Sequence, residues 1–183
     1  AGRLPAANTS AALVTSLIPR PVLDSYGTEA FSGLAMSDNL LGVFGAFSLP
    51  YSIVVNALYF KNDGVTTAGT VDIAIYSQDG QTKEIDVVSG TMSAAGLNTV
   101  AVAGVTLNAG IHYFAMVTNG TASISVVVYT AAGVDTNTGI AQVAGKAIHS
   151  GTLATANSTL PATFDPTALT YVASRTIAFR LET

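Results

Sequence analysis

The chain has two imidazoles with which to do chemistry: His112, inside the run "VTLNAGIHYFAMVTNG", and His149, which stands beside Ser150 in "GKAIHSGT". Nucleophilic catalysis needs a hydroxyl or thiol, a base within hydrogen-bond reach and a third group that orients the base. There is no cysteine, so thiol nucleophiles, thiolate metal sites and disulfides are all excluded. Ser150 follows His149 directly, but residues adjacent in sequence rarely form a triad, and no G-x-S-x-G elbow is present. Around His112, Ile111, Tyr113, Ala115 and Val117 fall on one strand face, and His112, Phe114, Met116 and Thr118 on the other. Both faces are mostly apolar and no orienting partner is evident, so the His112 ring is expected to fill space and donate one hydrogen bond. A Phe or Tyr in its place should then cost about 1 kcal/mol.

Metal and carboxylate chemistry find equally little support. "DTNTG", Asp135 to Gly139, resembles the opening of a calcium loop but lacks the third oxygen ligand, the Gly at the sixth position and the closing Glu. Asp63-Gly64 and Asp79-Gly80 have the composition of turns. Asp72 and Asp86 should approach each other across a hairpin, on strand positions expected to be solvated. Tyr51, Tyr59, Tyr76, Tyr113 and Tyr129 all fall on expected strands, which would suit a sugar-binding groove, yet the chain has no Trp. No catalytic residue, metal ligand or cofactor-binding residue is therefore assigned, and no cofactor is expected.

The elements that must position these residues are almost entirely strands. In "GTVDIAIYSQDGQTKEIDVVSG", Val71, Ile73 and Ile75 alternate with Asp72, Ala74 and Tyr76, which predicts one buried face. Asp79-Gly80 predicts a type I′ turn leading into Ile85, Val87 and Val88. "LNTVAVAGVTL", "GIHYFAMVT" and "ASISVVVYT" follow at short intervals, and "RTIAFRLE" closes the pattern with Ile177, Phe179 and Leu181 on one face. Eight or so strands at this spacing predict an all-β protein: an antiparallel, jelly-roll-like β-sandwich over residues 39–183. Residues 131–172, rich in Ala, Thr, Gly and Ser, read as a long connection before the last strand. Residues 1–38 carry Pro5, Pro19 and Pro21 without periodicity and read as an extended N-terminal arm.

Charged residues make up 10% of the chain, against roughly 25% in typical soluble domains, while mean hydropathy is +0.49. No apolar run approaches the roughly 18 residues of a membrane-spanning helix, so no membrane insertion is expected and the surplus apolar surface is assigned to contacts between copies. Seven Lys plus Arg in a chain of net charge -4 leave no basic stripe for phosphates, so nucleic acid is not an expected partner. In the arm, Leu13, Val14, Leu17, Ile18 and Val22 are apolar but broken by prolines, and are expected to bury themselves against a neighbouring copy.

The run from "DNLLGVFGAFSLP" through "VDIAIYSQDG" to "LNAGIHYFAMVTNG", about residues 38 to 130, resembles a β-sandwich domain of tailed-bacteriophage structural proteins. The similar features are an aromatic first strand, an apolar second strand, a V-x-I-x-I-Y strand and an L-x-x-G-x-x-Y-x-A strand. The resemblance implies a non-enzymatic virion component of tail-fibre, baseplate, head-fibre or capsid-decoration type, located on the virion. Its implied partners are further copies of itself, as a homotrimer, other virion proteins and a host surface glycan. It also places His112 where bulky packing residues are usual. A carbohydrate-binding module, receptor-binding or secreted, is the alternative.

Overall fold

Because side chains alternate along a strand, the order in which strands meet decides what each face touches. The computed structural model describes residues 16–17, 20–21, 28–36, 41–62, 69–92, 96–118, 124–132, 150–155, 159–171 and 175–183. Three strands come from the segment expected to be an arm: β1 (Ser16–Leu17), β2 (Arg20–Pro21) and β3 (Thr28–Met36). Seven follow: β4 (Leu41–Leu49), β5 (Ile53–Asn62), β6 (Gly69–Ser77), β7 (Lys83–Met92), β8 (Gly96–Leu107), β9 (Gly110–Thr118) and β10 (Ile124–Ala132). The remainder are β11 (Ser150–Ala154), β12 (Thr170–Tyr171), β13 (Arg175–Ile177) and β14 (Phe179–Glu182).

They form two sheets, antiparallel at the pairings between their strands. Sheet A runs β1-β14-β5-β10-β13, with β3 beside β10 and β8 beside β5, and sheet B runs β12-β11-β4-β9-β6-β7, with β2 beside β4. The chain changes sheet repeatedly, from β4 to β5, β5 to β6, β7 to β8, β8 to β9 and β9 to β10, which is the crossing expected of a jelly-roll-like sandwich. Residues 16–17, 20–21 and 28–36 lie extended, and their backbones pair with β14, β4 and β10 of the same chain.

Between the sheets, Phe47, Ile73, Ile75, Phe114 and Met116 of sheet B meet Val55, Leu58, Phe60, Phe179 and Leu181 of sheet A, all buried. Each such side chain contributes roughly 1.5–3 kcal/mol. The alternation on β5 changes phase between Val55 and Leu58. There β8 sets Val102 to Gly104 opposite Asn56, with Gly104 at φ +64. The closing strand is two pieces, β13 and β14, yet Ile177, Phe179 and Leu181 share the core as the alternation predicts.

The central strands β4, β6 and β9 of sheet B are buried on both faces, as the apolar faces of β9 suggested, but where one buried face was expected for β6. The sheet's outer side carries Phe44, Ala46, Tyr76, Tyr113, Ala115 and Val117, and these are covered by Leu160, Phe164 and Leu169 from the long connection. Residues 159–171 thus form a strap, which contains a single 3-10 turn at Pro166–Ala168 capped by the Asp165 carboxylate. Phe164 is its plug: its ring centroid lies 4.7 Å from Phe44, 5.0 Å from Tyr76 and 5.1 Å from Tyr113. Tyr76 Oη donates to Pro161 O at 2.6 Å, and burial pushes that phenol far above its ordinary pKa, so it stays a donor.

The β6–β7 connection differs from the two-residue turn expected at Asp79-Gly80. Gly80 N donates to Ser77 O and Ser77 N to Thr82 O, both at 2.9 Å, so Gly80 ends a turn that begins at Ser77. The Asp79 carboxylate takes the loop's donors, accepting from Ser77 Oγ at 2.6 Å and Gln81 N at 3.1 Å. Gly80 has φ +70, and a Cβ there would stand 2.3 Å from Phe164 O, because Phe164 N donates to Gly80 O at 2.9 Å. Glycine is demanded by both the turn and the strap.

Candidate functional site

His112 lies on β9 opposite Phe47 of β4, on the face turned toward sheet A, and is 4% exposed. Its ring stacks on Phe47 at 5.5 Å and 27°, and Phe47 in turn meets Phe179 edge-on at 5.0 Å. Nδ1 lies 2.5 Å from Glu84 Oε2 and Nε2 2.8 Å from Asn108 O, each within hydrogen-bond distance. The Asn108 carbonyl can only accept, so Nε2 carries the hydrogen of that bond.

Glu84 is the partner that the sequence did not reveal. The β6–β7 register steps from Ile75↔Ile85 to Tyr76↔Lys83, which leaves Glu84 as the extra residue of a bulge. That extra residue reaches past β6 to β9. The expectation of a single hydrogen bond and no orienting partner is therefore corrected: the ring is held on both sides. It has a base's orienting carboxylate, and the partners of its two nitrogens are Glu84 and Asn108. Ser77, the residue opposite His112 on β6, spends its hydroxyl donating to Asp79 and accepting from Thr82 N at 3.1 Å. The arrangement clamps β7, β9 and the β8–β9 turn at one end of the core.

Asp72 and Asp86 part company. Asp86 is exposed and bonds Lys83 Nζ at 2.9 Å, as a solvated strand carboxylate should. Asp72, expected to be solvated too, is 3% exposed, because the strap crosses above it; its Oδ2 accepts from Leu160 N at 2.7 Å. Of the tyrosines, Tyr76 and Tyr113 are buried under Phe164, so they offer no row on a surface. Tyr51 stands exposed in the β4–β5 bend. On the outer face of sheet A, Tyr59 donates to Glu182 and has the Arg180 guanidinium 5.8 Å above its ring. Tyr129 falls on β10.

His149, Asp63-Gly64, Asp135 to Gly139, and Leu13, Val14, Ile18 and Val22 of the arm lie outside the described residues. Leu17 is on β1, its backbone paired with Leu181 of its own chain. Among the described residues no three His, Asp or Glu side chains group to hold a metal ion, and no helix is long and apolar enough to cross a membrane.

A further surface feature lies where the two sheets end, while Leu41, Tyr51 and Val54 are exposed elsewhere. β7 closes sheet B and β8 closes sheet A, and between them runs an open groove of about 400 Å³. Val87, Val102 and Val105 line its floor, half-buried against the core, and Val88, 59% exposed, stands on its rim. Leu97, at the start of β8, is 66% exposed.

No family model matches the chain, and no curated protein does. Among solved structures, it is similar to the cysteine protease and lectin-like domains of Cwp84, a surface layer associated protein of Clostridium difficile, with a TM-score of 0.48 and 13% identity. A second, a clostridial cysteine protease Cwp84 after propeptide cleavage, gives a TM-score of 0.45 and 14% identity. Each match covers 84% of this chain, which spans 35% and 39% of the two solved chains.

Proposed function

We propose that this chain is a non-enzymatic bacteriophage virion structural module, a surface, fibre or decoration component that assembles through its β-sandwich, as a homotrimer. The observation that carries the reading is where the chain leaves apolar side chains in solvent. Its outer sheet B face is sealed by its own strap, yet Val88 and Leu97 stand exposed on the two strands that end the sheets. Apolar positions on free edges are what a soluble monomer avoids and what a multi-copy assembly uses. The groups best suited to chemistry support a structural role: the imidazole of His112 holds strands together, and Asp72 fastens the strap. The likeness of residues 38 to 130 to sandwich domains of tailed-phage structural proteins supplies the virion setting and the three-fold state.

Light scattering on the full chain over a micromolar range tests the assembly. A trimer is expected, and the double substitution Val88→Asp with Leu97→Asp should convert it to monomer while thermal stability is retained. A monomer at every concentration of the unsubstituted chain would end the reading.

A further inference from the structure

We propose that Asp72 is a proton-operated latch on the strap of residues 159–171: the neutral carboxyl holds the strap closed over sheet B more firmly than the carboxylate does. The geometry at Asp72 is unusual for an acid. It sits on β6 opposite a β7 irregularity, where the register steps from Val71↔Gly90 to Ile73↔Val87. Its Oδ2 accepts from Leu160 N at 2.7 Å, but Oδ1 is buried and, among the described residues, has no hydrogen-bond partner. A carboxylate closed off from water with one amide donor is poorly compensated, and neutralising it is the ordinary relief.

Among the described residues, no counter-ion contacts it. On β6 itself, the Tyr76 phenol is committed to Pro161 O. From β7 come Lys83 and Asp86, which bond each other. Across β9 the paired residue is Val117, and the outer-face neighbours on β4 and β9 are apolar or aromatic. From the strap the Leu160 amide donates to it, and Asp165 is engaged by Thr167 N and its hydroxyl at 2.8 and 2.7 Å. Burial accordingly holds the Asp72 carboxyl above the usual range. The Leu160 amide and Lys83 oppose that, and Asp86 adds to it.

The sign follows. With the strap open, Asp72 is hydrated and titrates as an ordinary Asp; with it closed, its pKa is higher. Closing therefore takes up a proton. The strap is tightest in acid, loosens as pH rises through the raised value, and stays at its loosest above it. What is controlled is access to an aromatic floor made by Phe44, Tyr76 and Tyr113, which the Phe164 ring otherwise fills.

Hydrogen exchange on the full chain between pH 4.5 and 8 reads this directly, through the Leu160 amide corrected for its intrinsic rate. Protection should be greater at the acid end, rising toward a limit of about tenfold for each unit that closure raises the pKa, a limit reached only below the ordinary Asp value. Asp72→Asn should flatten the profile, and Lys83→Gln should leave its direction unchanged. A flat profile in the unsubstituted chain, or a slope that survives Asp72→Asn, would overturn the proposal. Should Asp72→Asn fail to fold, the carbon-13 shift of the Asp72 carboxyl in the unsubstituted chain decides: a titration midpoint above the ordinary Asp value supports the latch, and one at or below it removes it.

Discussion

Replacing His112 by Phe separates its packing from its hydrogen bonds. The new ring can keep the stack on Phe47 at 5.5 Å, so little apolar contact is lost. What goes is the bond to the Glu84 carboxylate, of the charged kind that contributes about 1.5–3 kcal/mol, and a neutral bond to Asn108 O of about 1 kcal/mol. The Glu84 side chain is 21% exposed and can recover water, which favours the lower end of the first figure. The sum is about 2–3 kcal/mol, two to three times what one hydrogen bond would give. For a chain of this size that lowers Tm by roughly 5–10 °C. Urea unfolding of His112→Phe, Glu84→Gln and the double variant forms a cycle in which a coupling of about 1–2 kcal/mol is expected. A loss under about 0.5 kcal/mol for His112→Phe, or strict additivity in the cycle, would show that the clamp holds nothing together.

Gly80→Ala should cost at least about 2 kcal/mol in urea unfolding, from the positive φ and the clash with Phe164 O, and Gly80→Val more. Gly110→Ala is the control: its φ is +142, but a Cβ there meets nothing within 4 Å, so it should cost clearly less. Phe164→Ala empties the pocket between Phe44, Tyr76 and Tyr113 and should cost about 3–5 kcal/mol, with faster hydrogen exchange through 159–171. Asp79 and Asp165 titrate oppositely to Asp72: the Ser77 hydroxyl and the Thr167 hydroxyl, together with backbone amides, hold their carboxyls below the usual range. Their contribution is complete above the ordinary Asp pKa and is lost as pH falls through the lowered values, so thermal melts below about pH 4 should show stability falling with acid, and Asp79→Asn should blunt that fall.

The sandwich was legible in the sequence because strand alternation is a local signal. Ile177, Phe179 and Leu181, or Ile111 to Thr118 on their two faces, can be assigned from spacing alone, and their burial agrees. Asp72 was misread for the opposite reason. Its partner is a backbone amide 88 positions on, and nothing in "GTVDIAIYS" signals a strap above it. Glu84 was missed because its reach to His112 depends on a bulge, which displaces one residue without changing the composition of "KEIDVV". Phe164, in the turn-rich "TFDPT", has no periodicity to mark it as core. Its three aromatic neighbours come from β4, β6 and β9, so only the assembled sheet brings them together.

One pairing sets the timetable of folding. β14 lies between β5 and β1, so a strand at residues 179–182 joins strands from residues 16–17 and 53–62 into one sheet. Nearly the whole described chain must be in hand before sheet A can be completed, and the loop-closure entropy is met before the contacts that reward it form. Folding should therefore run in milliseconds to seconds, at the slow end for domains of this size. During that interval the β5 edge that takes β14 is unpaired, and β7 and β8 present free edges as well. An intermediate so exposed collides productively only at low concentration, so refolding yield should fall as concentration rises, and aggregation should compete hardest in the first moments after dilution from denaturant.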